Sequence, residues 1–213
     1  MELLETWMIF MIKKIFILLS ISSCSIIGFG ELPSLVRDTV LGTDFEVTDD
    51  FYKSQPYSFA KINIGRNIVA ITVLASVSNG IYLWISADGE RIYTKNGKII
   101  RTFGLKHDMK FLDPQNIDFP TFQFFESNNT YQNSLLLELN KPMAIINYSL
   151  LIKEIGIDED YYNSMKYEEQ FKSGKLAWNM VNNYWFDRSG RVIKSTQYIH
   201  PMMPKISLEF YYK

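Results

Sequence analysis

The chain has 213 residues, 47% of them hydrophobic, and a formal net charge of −1. A balance this close to zero sets up no global field toward nucleic acid, so no nucleic-acid partner is expected. A single cysteine excludes an internal disulfide, and a chain of this length buries roughly 70% of its unfolded surface without needing a staple.

From Met11 the sequence reads MIKKIFILLSISSC: two lysines, an unbroken apolar run from Ile15 to Leu19, then small polar residues up to Cys24. A basic segment followed by a short apolar run is the layout of a secretion signal. It falls short of the about 20 apolar residues that a membrane span needs. Its last four residues, Ile21-Ser22-Ser23-Cys24, resemble a bacterial lipobox. In that reading the Cys24 thiol takes a diacylglyceryl group, the chain is cut ahead of it, and the new amine is acylated, commonly with palmitate. Each buried methylene contributes about 0.8 kcal/mol, so two or three acyl chains hold far more firmly than one. Residues 1–23 therefore read as a lipoprotein signal peptide, and Cys24 as the point where the chain meets the membrane. Ser25, rather than Asp, follows the cysteine and points to the outer membrane.

Two other readings of this region compete with it. A lone Cys is more commonly a buried small hydrophobe, and Ile15 to Gly30 can also be taken as an uncleaved anchor. The first ignores the lysines and small residues that precede Cys24; Ser20, Ser22, Ser23 and Ser25 interrupt the second. Glu2 and Glu5 place negative charge where a signal wants positive, which points to a translation start at Met8 or Met11. Precursor peptides covering Glu2 to Trp7 would overturn that start. Residues 24–45 read as a lipidated tether with a short helix, in which Leu32, Leu35, Val36 and Val40 share a face and Gly42 ends the pattern.

Residues 46–213 read as one β-rich domain. Thr48 is placed to cap a short turn, and Pro56 leads into extended chain. From Asn67 to Gly104, apolar β-formers are punctuated by Asn79-Gly80, Asp88-Gly89 and Asn96-Gly97, the pairs that tight hairpin turns demand. This is an antiparallel meander. Further strands are expected at Thr121–Phe125, Ser134–Leu139 and Met143–Ile152, and Asp158 to Lys172 reads as helical or irregular. A last ribbon from Ala177 to Lys213 turns at Ser189-Gly190 and ends in a strand from Ile206 to Tyr212. Many antiparallel strands with one or two short helices imply a mainly β fold. A single barrel-like domain fits best, because closure removes exposed edges.

Catalytic signatures are sparse. His107 and His200 have no companion Cys and no H-E-x-x-H spacing, so no metal site is expected. Nucleophile elbows and phosphate-cradling glycine loops are missing from the sequence, and no cofactor is expected. Asp158-Glu159-Asp160 lacks EF-hand spacing and reads as a solvated acidic turn. Asp88, Asp187 and Arg188 are explained by turn chemistry. Aromatic residues remain: Tyr82 and Trp84 share one strand face, Tyr184 and Phe186 another. Facing inward they are core; facing outward they are contacts for sugar rings or a protein partner. Trp185 poses the same choice, and a core placement is favoured for Trp84 and Trp185.

Four stretches carry a resemblance: PYSFAKI at Pro56, NGIYLWISADGERIYTKNGKIIRTFGL at Asn79, Asp113-Pro114, and NNYWFDRSGRVIKSTQYIHPMMP at Asn182. In this order, and with the lipobox ahead of them, they resemble the YjbF/GfcB lipoproteins of exopolysaccharide and capsule-secretion operons in Gram-negative bacteria. The departures are the extension ahead of Met11 and the stretch from Gln115 to Lys175, where the match is loose. The resemblance implies a barrel-like fold and a non-catalytic role at the periplasmic face of the outer membrane. Polysaccharide-export proteins and the polysaccharide itself are the implied partners. The alternative is a lipid-anchored glycan hydrolase, which would need two carboxylates about 5–9.5 Å apart in a cleft.

Overall fold

The computed structural model describes residues 45–66, 68–114 and 130–213. The tether helix expected within residues 24–45, Cys24 itself, and the strand expected at Thr121–Phe125 lie outside them.

The described chain opens with one short helix, α1 (Asp49–Ser54). Thr48 caps it as expected, its side-chain oxygen accepting from the Phe51 N–H at 3.2 Å. Twelve strands follow: β1 (Phe59–Ile64), β2 (Ile68–Ser78), β3 (Ile81–Ser86), β4 (Arg91–Lys95), β5 (Lys98–Phe103) and β6 (Met109–Phe111), then β7 (Thr130–Leu139), β8 (Ala144–Asp158), β9 (Ser164–Ser173), β10 (Trp178–Phe186), β11 (Val192–Gln197) and β12 (Ile206–Tyr211). Each strand pairs with its sequence neighbours, and β1 also pairs with β12, so the sheet closes into a barrel. All of these pairings are antiparallel, and a short 3-10 turn at Gly174–Leu176 links β9 to β10.

The turns follow from backbone chemistry. Asn79 and Gly80 have φ of 51° and 73°, and Asn96 and Gly97 have 47° and 75°. Both residues of each pair therefore lie in the left-handed region that a two-residue hairpin of matching twist requires. The period-2 pattern then decides what faces inward. Trp84, Ile92 and Thr102 stand opposite one another on β3, β4 and β5 and are buried. Ile146, Tyr148, Leu150 and Ile152 are buried at alternate positions along β8. All of these except Thr102 belong to one hydrophobic cluster that fills the barrel. Helix α1 lies outside, against β1 and β12, with Phe51 edge-on to Phe59 at 5.5 Å and the Tyr52 hydroxyl donating to the Tyr212 carbonyl.

The stretch from Asp158 to Lys172 is neither helical nor irregular. It holds the end of β8, a turn, and nearly all of β9. Tyr167, Glu169 and Phe171 are buried at alternate positions. The period is that of a strand, but a carboxylate occupies a core position and conceals it.

Candidate functional site

The carboxylate of Glu169 sits at the centre of the barrel. Lys98 donates to both of its oxygens at 2.7 Å, and both side chains are buried. The Tyr148 hydroxyl donates to one oxygen in a short bond, Asn182 Nδ2 reaches the same oxygen at 2.9 Å, and Tyr184 reaches the other at 3.3 Å. Gln197 extends the network, its amide donating to the Gly97 carbonyl at 2.7 Å while its oxygen accepts from the Ile99 N–H. Burial pulls the Lys98 ammonium below the ordinary lysine range, and the charge of Glu169 opposes that shift. Burial, then the same carboxylate, pushes the hydroxyls of Tyr148 and Tyr184 well above the usual range, so both remain donors. The void beside this cluster, between Met109, Leu137 and Ile199, holds roughly one water. Chemically this is a satisfied, sealed network that ties β5, β8, β9, β10 and β11 together.

All four aromatic candidates belong to the barrel interior rather than to an outer platform. Trp84, Tyr184 and Phe186 are at most 2% exposed. Trp84 donates its indole N–H to Thr94 Oγ1 at 2.9 Å, and Phe186 packs edge-on to Tyr167 at 5.1 Å. Tyr82 is half-buried, stacked on Trp84 at 6.2 Å and edge-on to Tyr212. Strand alternation is the reason: Tyr82 and Trp84 share the parity that packs into the core. Trp185 has the outward parity but is covered. Tyr161 lies 6.0 Å away, the Lys166 and Lys194 ammoniums sit over the ring, and the indole donates to Asp158 Oδ2 at 2.8 Å. That hydrogen bond, more than any other influence, holds the Asp158 carboxyl below its usual range. Glu159 and Asp160 are exposed in the turn that follows.

The two histidines meet. Their rings stack at 4.8 Å, and both are buried. His107 Nδ1 pairs with the Lys141 carbonyl at 2.7 Å, and the Met202 N–H donates to His200 Nδ1. Among the described residues, no three His, Cys, Asp or Glu side chains gather to hold a metal.

An open groove of about 480 Å³ lies on the outer wall of strands β2 to β6. Its floor is one cross-strand row: Ser76 opposite Leu83, Leu83 opposite Tyr93, Tyr93 opposite Arg101, Arg101 opposite Lys110. Glu138 on β7 continues the row and pairs with Lys110 at 3.1 Å. The Arg101 guanidinium lies over the Tyr93 ring, 5.4 Å from its centroid. Ser78 and Asn79 add a hydroxyl and an amide at one end, and no described Asp or Glu lines the groove. Neither Arg101 nor Lys110 is signalled by the sequence. Counting outward from the Asn96-Gly97 turn pairs Tyr93 with Ile100, whereas a bulge shifts the partner to Arg101.

Comparison with known proteins places this barrel. A family described as group 4 capsule polysaccharide lipoprotein GfcB, YjbF matches residues 29–210. The uncharacterized lipoprotein YjbF of Escherichia coli (strain K12) is 22% identical over 197 residues, covering 79% of this chain and 82% of that protein. The crystal structure of the hypothetical lipoprotein YmcC from Escherichia coli (K12) shares the fold with a TM-score of 0.67 at 16% identity. It covers 80% of this chain and 91% of its own. With the family match running from just past Cys24 nearly to the end of the last strand, the chain belongs to the GfcB/YjbF family of group 4 capsule polysaccharide lipoproteins.

Proposed function

We propose that acyl groups on Cys24 hold this protein at the periplasmic face of the outer membrane. There it assists export or assembly of a capsular or exopolysaccharide without catalysing a reaction. One observation carries the reading: a lipobox cysteine stands a few residues ahead of a family match covering nearly the whole barrel. The body suits a tethered accessory protein, since the one buried carboxylate cluster among the described residues is closed to substrate and ties strands together. A glycan hydrolase would need paired carboxylates in a cleft. The groove's lining supplies hydroxyls, cations and apolar side chains instead, which supports the non-catalytic reading.

Deleting the gene and restoring it as wild type or as Cys24→Ala tests this directly. Surface and secreted polysaccharide should fall in the deletion, return with the wild-type copy, and stay low with Cys24→Ala. The Cys24→Ala protein should also leave the membrane fraction. Undiminished polysaccharide in the deletion strain would overturn the proposal.

A further inference from the structure

Arg101 and Lys110 stand directly opposite each other on adjacent strands. Like charges in that position weaken a sheet, and a single described carboxylate, Glu138, neutralises only one of them. Neither cation serves the core, because both lie on the outer wall, away from the buried row of Trp84, Ile92 and Thr102. Two unlike features therefore coincide: a charge arrangement that costs the fold something, and a groove whose lining holds no described acid. The Tyr93 ring restrains the plane of the guanidinium, leaving its fork of donors suited to a carboxylate. Ser76, Ser78 and Asn79 offer hydrogen bonds to hydroxyls, and Leu83 offers an apolar patch for the C–H face of a sugar ring.

We propose that this groove binds a segment of carboxylate-bearing polysaccharide, with Arg101 gripping the carboxylate and Lys110 reinforcing it. The proposal rests on the export reading above and names the chemistry of the chain recognised. Lys110 then exchanges Glu138 for the ligand, so Glu138 acts as a competitor that weakens binding.

Titration calorimetry on the full-length lipidated protein in detergent micelles tests this, using an oligogalacturonide and a neutral maltooligosaccharide of equal length as probes. The oligogalacturonide should bind, more weakly as salt rises, and the maltooligosaccharide should not. Arg101→Gln should weaken binding by about tenfold or more, since a hydrogen bond to a charged group is worth at least that ratio. Glu138→Gln should tighten it by up to about fivefold, the scale of an exposed ion pair. Matching thermal midpoints would establish that both variants are folded. Equal binding of the two probes, no binding of the acidic one, or an unchanged affinity in Arg101→Gln would overturn the groove assignment. In that event polysaccharide export would still depend on the gene if the broader reading holds, so the two failures are separable.

Discussion

Glu169 accepts from four side-chain donors, whereas Lys98 contributes one of them. That asymmetry makes the carboxylate the hub and the ammonium a spoke. Removing one member of a buried ion pair costs about 3–5 kcal/mol, because the remaining charge has nowhere to go. Glu169→Leu removes the carboxylate acceptor of Lys98, Tyr148 and Asn182, while the Tyr184 hydroxyl keeps Gln197 Oε1, so the upper part of that range is expected. Lys98→Met leaves the carboxylate with its three other donors and should cost distinctly less. Urea unfolding of both variants checks the order. A Lys98 variant as damaged as the Glu169 variant would mean that the ion pair alone, and not the network, holds the strands together. The same cluster shows why replacing the pair with apolar residues is a poor remedy here. The Tyr148 hydroxyl and the Asn182 amide would lose the carboxylate that accepts from them.

At the scale of the element, the β4–β5 hairpin couples a turn to a distant strand. A Cβ on Gly97 would lie 2.4 Å from Val192 Cγ1, whereas one on Gly80 would meet nothing within 4 Å. Both positions have positive φ, so alanine at either carries a backbone cost of about 1 kcal/mol or more. Gly97→Ala adds overpacking worth about 1–3 kcal/mol. Thermal unfolding should therefore rank Gly97→Ala well below Gly80→Ala, with Val192→Ala in the Gly97→Ala background recovering part of the loss. Equal midpoints for the two single variants would show that Val192 yields freely.

This hairpin also marks how far the sequence is legible. Asn79-Gly80 and Asn96-Gly97 announce their turns because few other residues accept two successive left-handed conformations. β9 escaped because Glu169 holds a core position whose partners come from three other strands, and a carboxylate there reads as surface. The groove escaped for a different reason. Its row of side chains exists only after a bulge resets the β4–β5 register, and a register shift leaves no mark in residue type. The aromatic pairs were legible as sharing a strand face, but which face turned inward depended on the closure of β1 onto β12. A closed barrel has no exposed edge, so its outer wall, rather than an edge strand, is the surface left for partners.

Over the whole molecule, three chain connections converge on the stacked histidines. His107 lies between β5 and β6, the Lys141 carbonyl belongs to the β7–β8 turn, and His200 precedes β12. Burial, and then the neighbouring His107, pull the His200 imidazole below its usual value of 6.5, while the Asn140 backbone opposes the shift. The unfolded chain consequently takes up a proton near pH 6.5 that the folded one refuses until lower pH. This contribution to stability is complete above pH about 6.5 and drains away as pH falls toward the folded value. The slope is at most about 1.4 kcal/mol per pH unit for each proton. Asp158, Glu168 and Asp187 are shifted in the same direction, their carboxyls sitting below the usual values of 3.8 to 4.5. Their stabilisation is lost only at still lower pH. The interval from pH 6.5 to 5 thus isolates the histidine. Across it the wild-type melting temperature should fall, and His200→Gln, which keeps a polar planar side chain without the titration, should show a flatter profile. A variant whose midpoint drops as steeply as the wild type's would move the acid sensitivity away from this junction.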